Sequence, residues 1–202
     1  MSFFQGMEKK LRDKTRDKLC ADLCAIGLDA RLVEGRRPEK RAGAPWGGGG
    51  SSLGLIEIKG EPICWVNVLK TAPIRGGIVY TNVYLVPDAS VSNKGHLRAE
   101  STRVKSMPVF GRVVDIRWEG QLPANLINQM NGDTSLKERL IELEEDIFVC
   151  SYPELGCWAI ITSRHRAGWV AWGVTRPSPP SKERWDCYKA IANYLLKPIR
   201  KA

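Results

Sequence analysis

Residues 53–86 read LGLIEIKGEPICWVNVLKTAPIRGGIVYTNVYLV, and this stretch decides the fold class. Apolar residues alternate with polar ones along much of it, and Ile, Val, Tyr and Trp are frequent, which is typical of β-strands. The turn sequences at 60–62 and 73–77 divide it into three strands over 53–59, 63–71 and 78–86. Connections this short join antiparallel neighbours, so the stretch predicts a β-meander.

Helical and strand patterns follow on both sides of the meander. The spacing of apolar residues predicts an amphipathic helix over 8–26, ended by Gly27, and a short helix opening at Pro123. The sequence Ser135-Leu-Lys-Glu138 is a capping box that should begin the next helix, and the last helix should begin near Ser181. Further strands are predicted over 109–118, 147–152, 157–163 and 169–175.

These patterns together predict the architecture. We expect a single α+β domain over residues 1–202, in which N-terminal, middle and C-terminal helices pack on a largely antiparallel sheet of about seven strands. The order of the elements also suggests two αβββ-like halves. Residues at about 35–52 combine Arg, Lys and a run of glycines, and they hold too little apolar surface to order themselves. They are predicted to form a flexible Arg/Gly-rich loop.

Composition narrows the class of protein. The chain has 43% hydrophobic and 26% charged residues, as expected for a globular protein, and its net charge of +9 favours either anionic partners or simply solubility. No apolar run approaches the ~18 residues of a membrane span, and no signal-peptide pattern occurs, so we expect a cytoplasmic protein without a membrane partner. The six cysteines contain no C-x-x-C pair. We therefore expect no metal site and no cofactor.

Cations interleaved with tryptophan are the most informative local feature. Residues 164–184 hold five cations against a single acid, Glu183, with Trp169 and Trp172 among them. Single-stranded nucleic acid requires cations for its phosphates and aromatic faces for its bases. Burial of these tryptophans in the core is the alternative interpretation. Together with the loop cations, the candidate nucleic-acid-binding residues are Arg36, Arg37, Lys40, Arg41, Arg164, Arg166, Trp169, Trp172 and Arg176.

One short motif suggests a catalytic function. Glu57-Ile58-Lys59 ends a predicted strand and resembles the E-x-K half of the PD-(D/E)-x-K nuclease motif. The resemblance covers three residues; no Pro-Asp precedes it, and Asp29 is the one well-placed upstream aspartate. It implies that Glu57 would bind a divalent metal such as Mg²⁺ and that Lys59 would steady the attacking water. Two exposed residues on one face of an amphipathic strand are the alternative, and the more common, explanation.

Three functions therefore remain open. The first is a non-catalytic binding protein whose anionic partner would be DNA or RNA. The second is a metal-dependent nuclease using Glu57 and Lys59, which alone would require Mg²⁺. The third is an intracellular protein-interaction module or complex subunit that docks other proteins through its basic surfaces and an acidic helix over 138–146.

Overall fold

The computed structural model of the protein describes residues 13–35, 38–42, 50–72, 77–93, 95–107, 111–163 and 174–197. Four α-helices lie in these ranges: α1 (Thr15–Ala25), α2 (Ala124–Gly132), α3 (Thr134–Leu143) and α4 (Lys182–Leu196). The same ranges hold nine strands: β1 (Asp29–Leu32), β2 (Ser51–Lys59), β3 (Trp65–Thr71), β4 (Ile78–Pro87), β5 (Arg98–Lys105), β6 (Val113–Gly120), β7 (Asp146–Tyr152), β8 (Cys157–Ser163) and β9 (Val174–Thr175). Short 3-10 helices span Pro38–Arg41, Ala89–Asn93 and Pro153–Leu155.

All of these strands belong to one sheet. Eight of them follow the order β1-β2-β3-β4-β8-β7-β5-β6 with antiparallel neighbours, and β9 pairs with β4. The meander β2-β3-β4 is the one predicted from residues 53–86. The α+β class, the antiparallel sheet and the placement of helices at both ends and in the middle of the chain are confirmed. The sheet has more strands than expected because β1 and β5 also join it.

Strand β9 does not continue a meander from β8. It pairs in parallel with the start of β4, at Ile78 and Val79, whereas β8 pairs antiparallel with the residues from Val83 to Pro87 of the same strand. Since β3 pairs with residues 79–85 along the other edge of β4, β8 and β9 share one edge. The unit α3-β7-β8-β9 therefore differs in strand pairing from the meander of the first half, so the two halves are not equivalent αβββ units.

The four helices pack on one face of the sheet, which we call the helix face. Their apolar stripes and the inward-pointing strand residues form a single buried cluster that includes Leu23, Met130, Leu140 and Ile191. A second cluster lies on the opposite face, which we call the second face; it contains Leu55, Leu69, Val83, Leu85 and Ile161. Both faces carry apolar residues because successive side chains of a strand point to opposite sides.

The first helix confirms part of its sequence prediction. Helix α1 ends just before Gly27, whose φ of +94° is favourable only for glycine. Leu19 and Leu23 are buried on its apolar side, while residues 8–12 of the predicted helix lie outside the described residues. None of the described helices is long and apolar enough to cross a membrane.

The predicted capping box at Ser135 is wrong, because the N-cap of α3 lies two residues earlier. Its N-cap is Asp133, whose side chain accepts the backbone N–H of Leu136 at 3.0 Å. The other carboxyl oxygen accepts the Tyr194 hydroxyl of α4 at 2.7 Å. One aspartate therefore caps α3 and joins it to α4, which a local sequence pattern could not reveal.

Replacing Asp133 by alanine should lower the free energy of unfolding by about 1–2 kcal/mol, the usual effect of losing an N-cap side chain. The hydrogen bond from the Leu136 amide, followed by that from Tyr194, lowers the pKa of Asp133 below its ordinary value. Stability from a depressed carboxyl pKa is complete above the unfolded pKa and is lost as the pH falls through the folded one. Lowering the pH below about 4 should therefore reduce the free energy of unfolding of the native protein more than that of Asp133→Asn, as measured by urea unfolding. An equal pH dependence of the two proteins would contradict this role of Asp133.

Candidate functional site

One end of the sheet gathers several strand termini, and we call it the basic end. Strand registers place these pairs of residues beside one another there: Ser51 and Lys70, Thr71 and Val79, Ile78 and Val174, Asp146 and Ser163, Lys105 and Val113. The strand-to-strand connections over residues 33–50, 72–77, 106–112 and 164–173 all start and finish at this end.

Charge is divided unequally between the two ends. The four connections of the basic end contain eight cations, Arg36, Arg37, Lys40, Arg41, Arg75, Arg112, Arg164 and Arg166, against two acids, Glu34 and Glu39. The strand-to-strand connections of the opposite end, over 60–64, 88–97 and 153–156, contain Lys94 against Glu61, Asp88 and Glu154. The described ends of these four basic connections therefore lie together at one end of the sheet.

Two of the predicted binding residues lie on an ordered turn. Lys40 is half-buried and Arg41 is exposed in the 3-10 helix Pro38–Arg41, and neither forms an ion pair with a described residue. The turn is held by Asn67 of β3, a fully buried side chain on the second face. Its amide nitrogen donates to the carbonyl oxygens of residues 42, 40 and 39 at 2.8, 3.0 and 3.4 Å.

The Asn67 side chain also joins this turn to the start of β2. Its Oδ1 atom accepts the Ser52 hydroxyl at 2.6 Å, so one amide group connects β3, β2 and the 3-10 helix. Residues 38–42 and 50–52 of the predicted flexible loop are thus part of the fold. The intervening residues 43–49, together with Arg36 and Arg37, lie outside the described residues.

A second polar group lies at the basic end on the helix face. Arg176, which follows β9, is exposed, and its guanidinium carbon is 5.4 Å from the ring centroid of Tyr80. Lys70 of β3 approaches the same ring at 5.7 Å. The Tyr80 hydroxyl and Lys70 Nζ both donate to Asp13 Oδ2, at 2.6 and 2.9 Å. We call Asp13, Lys70, Tyr80 and Arg176 the Tyr80 cluster.

The charges of the Tyr80 cluster are fixed by these contacts. Burial raises the pKa of Asp13, but hydrogen bonds from Tyr80, Thr15 and Lys70 outweigh burial and hold that pKa below its ordinary range. The hydrogen bond to Asp13 raises the pKa of Lys70. Both groups are therefore charged at neutral pH, and the carboxylate neutralises one of the two cations around the ring.

A buried ion pair anchors the beginning of α4. Glu145 is 4% exposed, and its carboxylate accepts hydrogen bonds from Arg184 Nη1 and from the Tyr188 hydroxyl. The Tyr188 ring packs on the ring of Tyr84 with centroids 4.7 Å apart. Burial raises the pKa of the Tyr188 hydroxyl well above its usual value, so this tyrosine remains a neutral donor.

The candidate nuclease residues lie away from the basic end. Glu57 faces Arg31 across the β1–β2 pair, and Lys59 faces Asp29, so the four side chains share the second face. Arg31 binds Asp29 through two contacts of 3.0 and 3.3 Å. Among the described residues, no group of three or more His, Cys, Asp or Glu side chains is placed to hold a metal ion.

The structure leaves some predicted residues unplaced, and it adds others that the sequence analysis did not identify. Arg164, Arg166, Trp169 and Trp172 lie outside the described residues, so the structure places none of them. Sequence reasoning missed Asp13, Asn67, Lys70, Tyr80 and Glu145. A signal was present for Asn67 and Lys70, which are polar residues within an otherwise apolar strand.

Comparison with known protein families, with curated proteins and with solved structures finds no significant match to this chain.

Proposed function

We propose that this protein is a non-catalytic nucleic-acid-binding protein whose basic end contacts the phosphate backbone. The observation that carries the proposal is the segregation of charge between the two ends of the sheet. Four connections that are far apart in sequence have their described ends at one end of the sheet, and they contain eight cations, whereas the connections of the other end contain a small excess of acids. A polyanion gains affinity when several cations meet it together, because each phosphate contact releases condensed counterions.

Two structural features support a binding surface at this end. The hydrogen bonds of the Asn67 side chain, which we call the Asn67 clamp, hold the turn that carries Lys40 and Arg41. These two cations therefore lose less conformational freedom when they bind. The exposed Arg176 lies against Tyr80, and an arginine against an aromatic ring offers both charge and a flat surface for a base. The predicted contacts of Arg36, Arg37, Arg164, Arg166, Trp169 and Trp172 belong to the same proposal.

The test is fluorescence anisotropy with labelled single- and double-stranded DNA and RNA at ~50 and ~200 mM salt. The native protein should bind single strands, and affinity should fall by about fiftyfold or more across this range if four or more phosphates are contacted. The double variant Lys40→Ala/Arg41→Ala should reduce the slope of log K against log salt by about 1.4, because each contact with a single strand contributes about 0.7.

The matched control removes two cations at the opposite end of the sheet. Lys59→Ala/Lys189→Ala changes the net charge equally, and Lys189 pairs there with Glu61 at 2.7 Å. This variant should retain the native affinity and salt dependence; an equal loss would contradict a localised site. Product analysis with Mg²⁺ runs in parallel, and cleavage abolished by Glu57→Ala would favour a nuclease instead. Absence of binding at low salt would overturn the proposal and favour a protein-interaction module.

A further inference from the structure

The carboxylate of Asp13 occupies a site with the features of a phosphate-binding site. Its Oδ2 atom accepts the Lys70 ammonium and the Tyr80 hydroxyl, and its Oδ1 atom accepts the backbone N–H of Thr15 at 3.0 Å. Thr15 is the first residue of α1, so the carboxylate also lies at the positive end of a helix dipole. The exposed guanidinium of Arg176 flanks the same tyrosine.

These donors match the requirements of a phosphodiester. Helix N-termini, ammonium groups and hydroxyls all bind phosphate oxygens, and two oxygens of a phosphate can replace the two carboxylate oxygens. The site is also accessible, because the Lys70 and Asp13 side chains are 33% and 20% exposed. An internal carboxylate that satisfies a lysine and a tyrosine hydroxyl reduces the attraction of both for an external anion.

We propose that Lys70, Tyr80 and Arg176 form a backbone-phosphate subsite for single-stranded nucleic acid, in which Asp13 occupies the place of the phosphate in the free protein. This inference rests on the proposed function. It adds that the Asp13 carboxylate competes with the phosphate for Lys70 and Tyr80. When the strand binds, its phosphate replaces the Asp13 carboxylate on Lys70 and Tyr80. Asp13 therefore lowers the affinity of the basic end and makes binding at this subsite depend on exchange of one anion for another.

The test is the variant Asp13→Asn, measured by anisotropy with a labelled single strand across a salt series. Asparagine has nearly the same shape as aspartate, and its Oδ1 atom can still accept the Tyr80 hydroxyl, so the fold should be retained, which a thermal unfolding curve checks. Removal of the carboxylate frees Lys70 for a phosphate. Affinity at low salt should rise by about fivefold, and the slope of log K against log salt should steepen by about 0.7, because the contact of Lys70 with the phosphate is no longer offset by loss of the Asp13 ion pair.

The control is Asp22→Asn in α1. Asp22 pairs with Lys18 at 2.6 Å, so this variant also removes one negative charge and frees one lysine, but it lies outside the Tyr80 cluster. It should leave the affinity within about twofold of native, because the freed lysine meets no phosphate. Equal gains in the two variants would mean a general charge effect and would overturn the subsite.

A second variant makes the assignment specific to Lys70. Lys70→Met should have a small effect in the native background, where Asp13 already neutralises the lysine, and should remove the whole gain in the Asp13→Asn background. Equal effects in both backgrounds would overturn the competition. If Lys40→Ala/Arg41→Ala weakens binding while Asp13→Asn changes nothing, this inference fails and the proposed function stands. If the native protein binds no nucleic acid, both fail.

Discussion

Replacing Glu145 by alanine is expected to lower the free energy of unfolding by about 3–5 kcal/mol, the usual cost of breaking a buried ion pair from one side. The substitution leaves the Arg184 guanidinium and the Tyr188 hydroxyl without their carboxylate acceptor, next to the buried Tyr84 ring. A buried donor that loses its acceptor retains its full desolvation cost. Chemical denaturation with far-UV circular dichroism measures the loss directly.

Two comparisons separate this effect from a simple loss of side-chain volume. Glu142→Ala changes an exposed glutamate of α3 and should alter stability by no more than about 0.5 kcal/mol. The triple variant Glu145→Leu/Arg184→Met/Tyr188→Phe replaces the whole polar group by apolar side chains of similar size. It should recover most of the stability, because no buried charge is left unpaired. A triple variant as unstable as Glu145→Ala would contradict this explanation.

The Glu145 network also bears on the proposed binding surface. It fixes the first turns of α4 against the sheet, and α4 begins six residues after Arg176. Because the chain between them is short, loosening of α4 should also displace the Arg176 guanidinium from the Tyr80 ring. Variants that disturb Glu145 are therefore unsuitable for testing nucleic-acid contacts, whereas Lys40, Arg41 and Asp13 can be changed without disturbing this network.

The second large effect is expected for Asn67→Leu, which should lower the free energy of unfolding by about 2–4 kcal/mol. Leucine has a similar volume, but the carbonyl oxygens of residues 40 and 42 lose their amide donor, and the Ser52 hydroxyl loses its acceptor. Each buried polar group left without a partner costs about 1–3 kcal/mol. Trypsin should then cleave the folded variant after Lys40 and Arg41 faster than the native protein, because the turn is released.

Asn67→Asp tests whether donation by the amide is the important interaction. An aspartate carboxylate would face carbonyl oxygens with no proton to donate, so this variant should be destabilised at neutral pH. Protonation at low pH supplies an O–H donor, so Asn67→Asp should gain stability relative to Asn67→Leu as the pH falls. Ser52→Ala removes only the bond to Oδ1 and should cost about 1 kcal/mol. If trypsin cleaves native protein and Asn67→Leu at the same rate, the clamp does not hold the turn.

Local sequence patterns predicted an element correctly where the residues that define it lie within the element or next to it. The alternation in residues 53–86 predicted β2, β3 and β4 in antiparallel order, and the Ser181 signal located the start of α4, where the Ser181 hydroxyl accepts the Arg184 amide at 3.3 Å. Leu19 and Leu23, two of the apolar residues whose spacing predicted the amphipathic helix, are buried in α1. In each case the hydrophobic period or the cap lies within a few residues of the element that it defines.

Prediction failed where the partner is distant in the chain. Strand β5 reads RAESTRVK and has little apolar alternation, because much of its stabilisation comes from pairing with β6 over its whole length. The parallel pairing of β9 with β4 depends on a free stretch of strand edge that no local pattern contains. The cap of α3 was misplaced because the choice of Asp133 over Ser135 is reinforced by Tyr194 of another helix.

The candidate site likewise combines features that depend on neighbouring residues with features that depend on residues distant in the chain. The sequence by itself determined the α+β class, the meander, the positive charge and the candidate residues Lys40, Arg41 and Arg176, since charge and hydrophobic period are properties of neighbouring residues. Only the tertiary structure decided that the basic connections meet at one end of the sheet, that Asn67 clamps the Lys40–Arg41 turn, and that Asp13 occupies a site between Lys70 and Tyr80. These arrangements join residues 25 to 67 positions apart, and such contacts form only when strand pairing brings the segments together.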